Sequence, residues 1–136
     1  MGHRIYLAAA YERNDEMRGV RDVLVALGYE VTSRWIDQEV SGQTEAAGAS
    51  ELAVDPAAYV KFAHKDMDDL HAADTVISFT GGGHVGRGGH HIEFGLALAY
   101  GKRLVIVGPR EHVFHTLPEV EWYPDWSRLV MAWSRT

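Results

Sequence analysis

Along this chain, short unbroken apolar runs alternate with stretches in which apolar residues recur every three or four positions. HRIYLAA (3–9) is an apolar run and reads as a buried strand. YERNDE breaks it, with Asn14 and Asp15 as helix caps. Met17, Val20, Val23, Leu24 and Leu27 follow at spacings of three, three, one and three, so they share one helix face, and Gly28 is placed to end that helix. YEVTSRWI (29–36), β-branched and aromatic, predicts a second strand. Residues 37–52 have no clear period and are rich in small and polar types, which predicts a loop, partly helical, able to act as a lid. Pro56 near the start of 55–73, then Tyr59, Phe62, Ala63 and Leu70, predict a second helix. TVISF (75–79), RLVIVG (103–108) and VEWY (120–123) are further strands, and residues 90–101 and 125–134 are further helices.

Strands that are nearly all apolar, each followed by a helix, belong to a parallel sheet covered on both faces. The expected fold is therefore α/β: a single doubly wound, flavodoxin- or Rossmann-like domain over 1–136, with five parallel strands in the order 2-1-3-4-5. In such sheets ligands bind beyond the carboxyl ends of the strands, where the strand order reverses. That rule brings the loop after strand one, AAYERND, beside the loop after strand three, TGGGHVGRGGHH.

Composition narrows the partners. Hydrophobic residues at 46% and charged residues at 24% describe a globular chain, and no apolar run approaches the roughly 20 residues of a membrane span. The opening MGHRIYLAAAY turns polar too soon for a secretory signal, and the absence of cysteine excludes disulfides, so a cytoplasmic setting is expected. A net charge of −6 without a basic patch argues against binding a nucleic-acid polymer and leaves a small molecule as the expected partner.

TGGGHVGRGGHHIEFG (80–95) holds seven glycines, three histidines, an arginine and a glutamate. Glu93 falls near the start of the third helix, where the helix dipole favours the ionised form. Its plainer role is to support that helix start. Of the acidic residues in KDMDDLHAAD, Asp74 belongs at the beginning of a strand and reads as a structural cap. Asp66 lies earlier on the same helix as Leu70 and Ala73, either in solvent or over the pocket. Two carboxylates flanking one glycosidic bond can divide the work of nucleophile and proton donor. Arg87, beside Gly86, Gly88 and Gly89 and ahead of a helix, suits an anion, and Arg13 in the neighbouring loop adds a second positive charge.

The ordered set IYLAA (5–9), KDMDDLHAADTVISF (65–79) and GRGGHHIEFGLALAYGKRLVIVG (86–108) resembles the nucleoside 2-deoxyribosyltransferase family, which includes deoxynucleoside 5′-monophosphate N-glycosidases. The shared pattern is an Asp eight residues before an Asp-hydrophobic strand, a Gly-rich loop, then E-x-G-x-A-x-x-x-G-K. The resemblance runs from strand one to strand four and is weak in 37–60 and after 115. It implies that Glu93 is the nucleophile that holds the deoxyribosyl group. It makes Asp66 the residue that assists and protonates the departing base, and Tyr6 the partner whose hydroxyl touches Glu93. It implies neither metal nor organic cofactor. It also implies a homo-oligomer whose C-terminal region, here EVEWYPDW (119–126), helps complete a neighbour's pocket. The chain departs from the transferase pattern in placing Arg87 where an acidic residue usually stands six positions before the nucleophile. That departure favours nucleotides over nucleosides.

His84, His90 and His91 precede Glu93, and His112 and His115 follow strand four. Adjacent histidines point about 100° apart on a helix, so HHIE does not predict a metal site. One of these histidines, with His84 and His90 the candidates, is expected to hydrogen-bond substrate or Asp66. Trp35, Tyr59, Trp122, Tyr123, Trp126 and Trp133 are able to stack on a base, but most are expected in the core or an interface. Two rival readings stand beside the deoxyribosyl one. The first is a ribonucleotide phosphoribohydrolase of the cytokinin-activating kind, whose P-G-G-x-G-T-x-x-E is not present. The second is a non-enzymatic nucleotide-binding module, which has no need of paired carboxylates.

Overall fold

A computed structural model describes residues 3–37, 56–82 and 88–135, with the side chains of Pro56, Ala58 and Tyr59 left aside. Five strands, β1 (Arg4–Ala8), β2 (Glu30–Val31), β3 (Thr75–Phe79), β4 (Arg103–Val107) and β5 (Val120–Tyr123), form one sheet in the order β2-β1-β3-β4-β5. Every pairing is parallel. The expected fold class and strand order both hold.

The helices are α1 (Asn14–Ala26), α2 (Pro56–Ala72), α3 (Gly89–Ala99) and α4 (Trp126–Trp133). Right-handed crossovers running in opposite directions from β1 to β2 and from β2 onward set α1 on one face and α2 with α3 on the other. On β1 and β3 the register pairs Tyr6 with Val76 and Ala8 with Ser78, which puts these four on the α2–α3 face. Phe79 points to the opposite face, where Trp126 at the start of α4 packs against it at 5.8 Å between ring centroids. The core is continuous through the sheet, with Ile5, Tyr6, Leu7, Ile77, Val105 and Ile106 all fully buried.

The second strand is shorter than the apolar run predicts. Only Glu30 and Val31 pair with β1, and Arg34–Asp37 form a 3-10 turn. Side chains take over the ladder. The Ser33 hydroxyl accepts from the Leu7 amide at 3.1 Å, and the Trp35 indole donates to the Leu7 carbonyl at 2.8 Å. With the Leu7 groups satisfied in this way, the backbone is free to turn without leaving buried polar atoms orphaned. The predicted lid, residues 37–52, lies outside the described residues beyond Asp37.

Candidate active site

Tyr6 stands in the middle of β1, fully buried, and its hydroxyl donates to Glu93 Oε2 at 2.5 Å. Glu93 lies in the second turn of α3, which starts from Gly88 in the left-handed conformation at φ 88°. The sheet thus fixes one end of this bond and the helix the other. Asp66 comes from α2 on the same face. Its residue is half-buried, yet Oδ1 has no accessible surface and no hydrogen-bond partner among the described residues.

The electrostatics of this trio depart from the simple helix-dipole argument. Burial of the carboxyl group, opposed by the Tyr6 hydrogen bond and reinforced by the Asp66 charge, pushes Glu93 up to about 8. Desolvation therefore outweighs the helix N-terminus, and the ionised form expected from position alone is disfavoured. Asp66 is pushed up to about 6, first by burial and then by the charge of Asp69, with Lys65 and Arg34 pulling the other way. Tyr6 is held well above the usual phenol range by burial and by the neighbouring carboxylates.

Asp69 is the residue that sequence reasoning missed. It is buried on α2 and accepts from the Arg34 amide at 2.9 Å and from Arg34 Nε at 2.8 Å, which ties the turn after β2 to this helix. Lying three residues after Asp66, on a neighbouring part of the helix surface, it also raises the Asp66 pKa. That i, i+3 spacing is the signal that was available in KDMDDL.

The other expected site residues divide. Arg13 binds Glu16 through two nitrogens at 2.8 Å each, donates to the Thr80 carbonyl at 3.2 Å and lies 5.8 Å over the Phe79 ring. Its guanidinium is engaged in bracing the end of β3 rather than reaching freely into the pocket. His90 stacks on His91 with ring centroids 4.0 Å apart, and burial with the His91 charge lowers its pKa. Gly89 opens α3 and is exposed. His84, Gly86 and Arg87 lie outside the described residues. Asp74 accepts from the Arg4 amide at 2.9 Å and from the Thr75 hydroxyl at 2.7 Å, at the amino end of the sheet, as a cap would.

Later parts of the sequence pattern serve architecture. Gly101, at φ 69°, follows the last turn of α3, and the Lys102 amide closes back onto the Ala97 carbonyl at 3.0 Å. Lys102 Nζ then donates to the carbonyls of Ala73 at 2.6 Å and His71 at 3.3 Å, capping the end of α2. Gly81 and Gly108 join the carboxyl ends of β3 and β4 closely: a Cβ on Gly108 would stand 2.6 Å from Thr80 Oγ1, and one on Gly81 2.8 Å from Pro109 Cδ. Among the aromatics, Trp35 and Trp133 are buried, while Trp122 is exposed with Arg110 4.3 Å over its ring. The Tyr59 side chain lies outside the described residues. Two groups with metal-ligating atoms also occur at this end of the molecule: His91, His112 and His115, and His90, His91 and Glu111.

The chain is similar to a 2-deoxyribosyltransferase from the psychrotolerant bacterium Bacillus psychrosaccharolyticus, with a TM-score of 0.64 and 19% identity over 93% of this chain and 90% of that one. It is similar as well to the CMP N-glycosidase BcmB of Clostridium botulinum, with a TM-score of 0.60 and 20% identity over 95% and 96% of the two chains. No protein-family model matches the sequence, and no curated protein matches it. The chain therefore shares the α/β fold of these two proteins along nearly its whole length.

Proposed function

We propose that this protein cleaves the N-glycosidic bond of 2′-deoxynucleosides or their 5′-monophosphates and passes the sugar to a second base or to water. The observation that carries the reading is the Tyr6–Glu93 hydrogen bond of 2.5 Å beside a second, half-buried carboxylate, Asp66, on the α2–α3 face of the sheet. The fold shared with a deoxyribosyltransferase and a CMP N-glycosidase supports it.

In the proposed mechanism Glu93 attacks the anomeric carbon as the C–N bond breaks. The electron pair goes to the base nitrogen, and Asp66 supplies the proton that base takes up. Water or a second base then adds at the same carbon and returns a proton to Asp66, and Glu93 leaves as a carboxylate. Two displacements at one carbon retain configuration. The Tyr6 hydroxyl, which lowers the Glu93 pKa through its hydrogen bond, favours the carboxylate that attack requires. Positive charge developing on the sugar adds to that preference. The reaction so written needs no cofactor, and we place it in a cytoplasmic homo-oligomer.

The test is product analysis by chromatography across deoxynucleosides, deoxynucleoside 5′-monophosphates and their ribo counterparts, each with and without a different free base. Release of free base from a deoxy substrate is the expected result. A new nucleoside in the presence of the second base identifies transfer, and faster turnover of monophosphates identifies phosphate recognition. Failure of every deoxy substrate alongside turnover of a ribonucleotide would contradict the proposal.

A further inference from the structure

Beside the carboxylate pair, the amino end of α3 meets the 3-10 turn Val113–Thr116 that follows β4. Three histidines gather there. His112 and His115 stack with centroids 3.7 Å apart, and His91 lies 5.0 Å from His112 and 5.9 Å from His115. One ring nitrogen from each of His91, His112 and His115 lies within 4.8 Å of one from each of the others. All three rings also hold a buried nitrogen with no hydrogen-bond partner among the described residues: His91 Nδ1, His112 Nδ1 and His115 Nε2. His115 as a whole is only 1% exposed. Phe94 closes the cluster edge-on, 4.8 Å from His115 and 5.6 Å from His112.

We infer that His91, His112 and His115 bind a divalent transition-metal ion of the zinc class. Imidazole nitrogen is the ligand such ions favour, and three histidines make a recognised protein set. Burying three unpartnered ring nitrogens in one small volume is unfavourable by itself, and coordination gives them a partner. Glu111 stands alongside, with Oε1 3.6 Å from His91 Nε2, and it tempers the charge of a bound cation. His115 Nδ1 accepts from the Glu111 amide at 3.0 Å. Coordination through Nε2 moves the ring proton to Nδ1, so that amide contact is exchanged for the metal bond. The ion would pin the first turn of α3, two residues before Glu93, to the turn after β4. This site rests on the histidine geometry and not on the glycosidic reading.

The experiment is a titration of tag-free protein with Co²⁺, followed by visible absorption, with Zn²⁺ competition and calorimetric stoichiometry. One ion per chain is expected, with ligand-field bands of low coordination number that Zn²⁺ abolishes. His112→Ala, at a half-buried position off the sheet, and His115→Ala are each expected to weaken binding at least about tenfold. His64→Ala, on the exposed side of α2, should leave it unchanged. In ¹⁵N-resolved spectra the Glu111 amide and the His115 ring should shift on Zn²⁺ addition. Circular dichroism of the variants separates lost ligation from lost folding. The proposal is overturned if folded His112→Ala binds as tightly as the parent chain, or if the parent shows no binding at about 100 μM metal, a concentration sufficient for even a weak site.

Discussion

Between about pH 6 and about pH 8 Asp66 and Glu93 hold close to one proton between them; it rests on Glu93, and the proposed reaction proceeds from the minor form in which it sits on Asp66 and Glu93 is a carboxylate. Below that window both carboxyl groups are protonated and the proposed nucleophile is missing. Above it both are ionised and no proton is available for the leaving base. The proposed reaction is therefore expected to give a bell-shaped pH profile in kcat/KM, with limbs near 6 and 8. Asp69→Asn removes a charge that raises Asp66, so its acidic limb should move to lower pH while the alkaline limb holds. A profile with unmoved limbs in that variant would contradict the coupling. Tyr6→Phe deletes the bond that lowers the Glu93 pKa, so it should move the alkaline limb upward and reduce turnover by about 10- to 100-fold. The contact of Tyr6 with Glu93 was legible in the sequence because an ordered motif pairs them. The protonation state of Glu93 was not, because helix position gives the sign of the dipole and says nothing about how deeply tertiary packing buries the carboxyl group.

At the scale of the element, the instructive segment is YEVTSRWI. Its β-branched and aromatic content predicts eight residues of strand, and two form. Strand propensity measures fit to a half-buried surface, and Ser33 and Trp35 meet that requirement by bonding Leu7 with their side chains instead. Ser33→Ala strands the buried Leu7 amide and should cost about 1–3 kcal/mol in chemical denaturation. A loss below about 0.5 kcal/mol would show that the amide finds another partner. The histidines teach the complementary lesson. Reading HHIE by helical spacing weighs only neighbours along α3, whereas His115 lies in the 3-10 turn after β4 and His112 is the residue that caps its start. H-x-x-H after strand four was the available sign.

For the whole molecule, alternation of apolar runs and periodic stretches was sufficient for the class, the strand order and four of five strands nearly to the residue. In a doubly wound sheet the right-handed crossover leaves few other solutions. That topology brings residues 6, 66 and 93 to one face, at a stability cost that depends on pH. A carboxyl group raised from 4.5 to about 8 favours the folded state when protonated. Its contribution is complete below the unfolded value and is lost as pH rises through about 8. Glu93→Gln should consequently melt higher than the parent chain at pH 8.5, by about 3 °C or more, with the difference shrinking toward pH 4. Equal melting temperatures at both pH values would indicate a carboxyl group far better solvated than this packing allows.

The most direct test of the account compares free-base release by the parent chain and by Glu93→Ala at pH 7, on the deoxy substrate that turns over fastest. If Glu93 is the nucleophile, release should fall by at least about 10³-fold while circular dichroism shows the fold retained. Undiminished release in folded Glu93→Ala would contradict it.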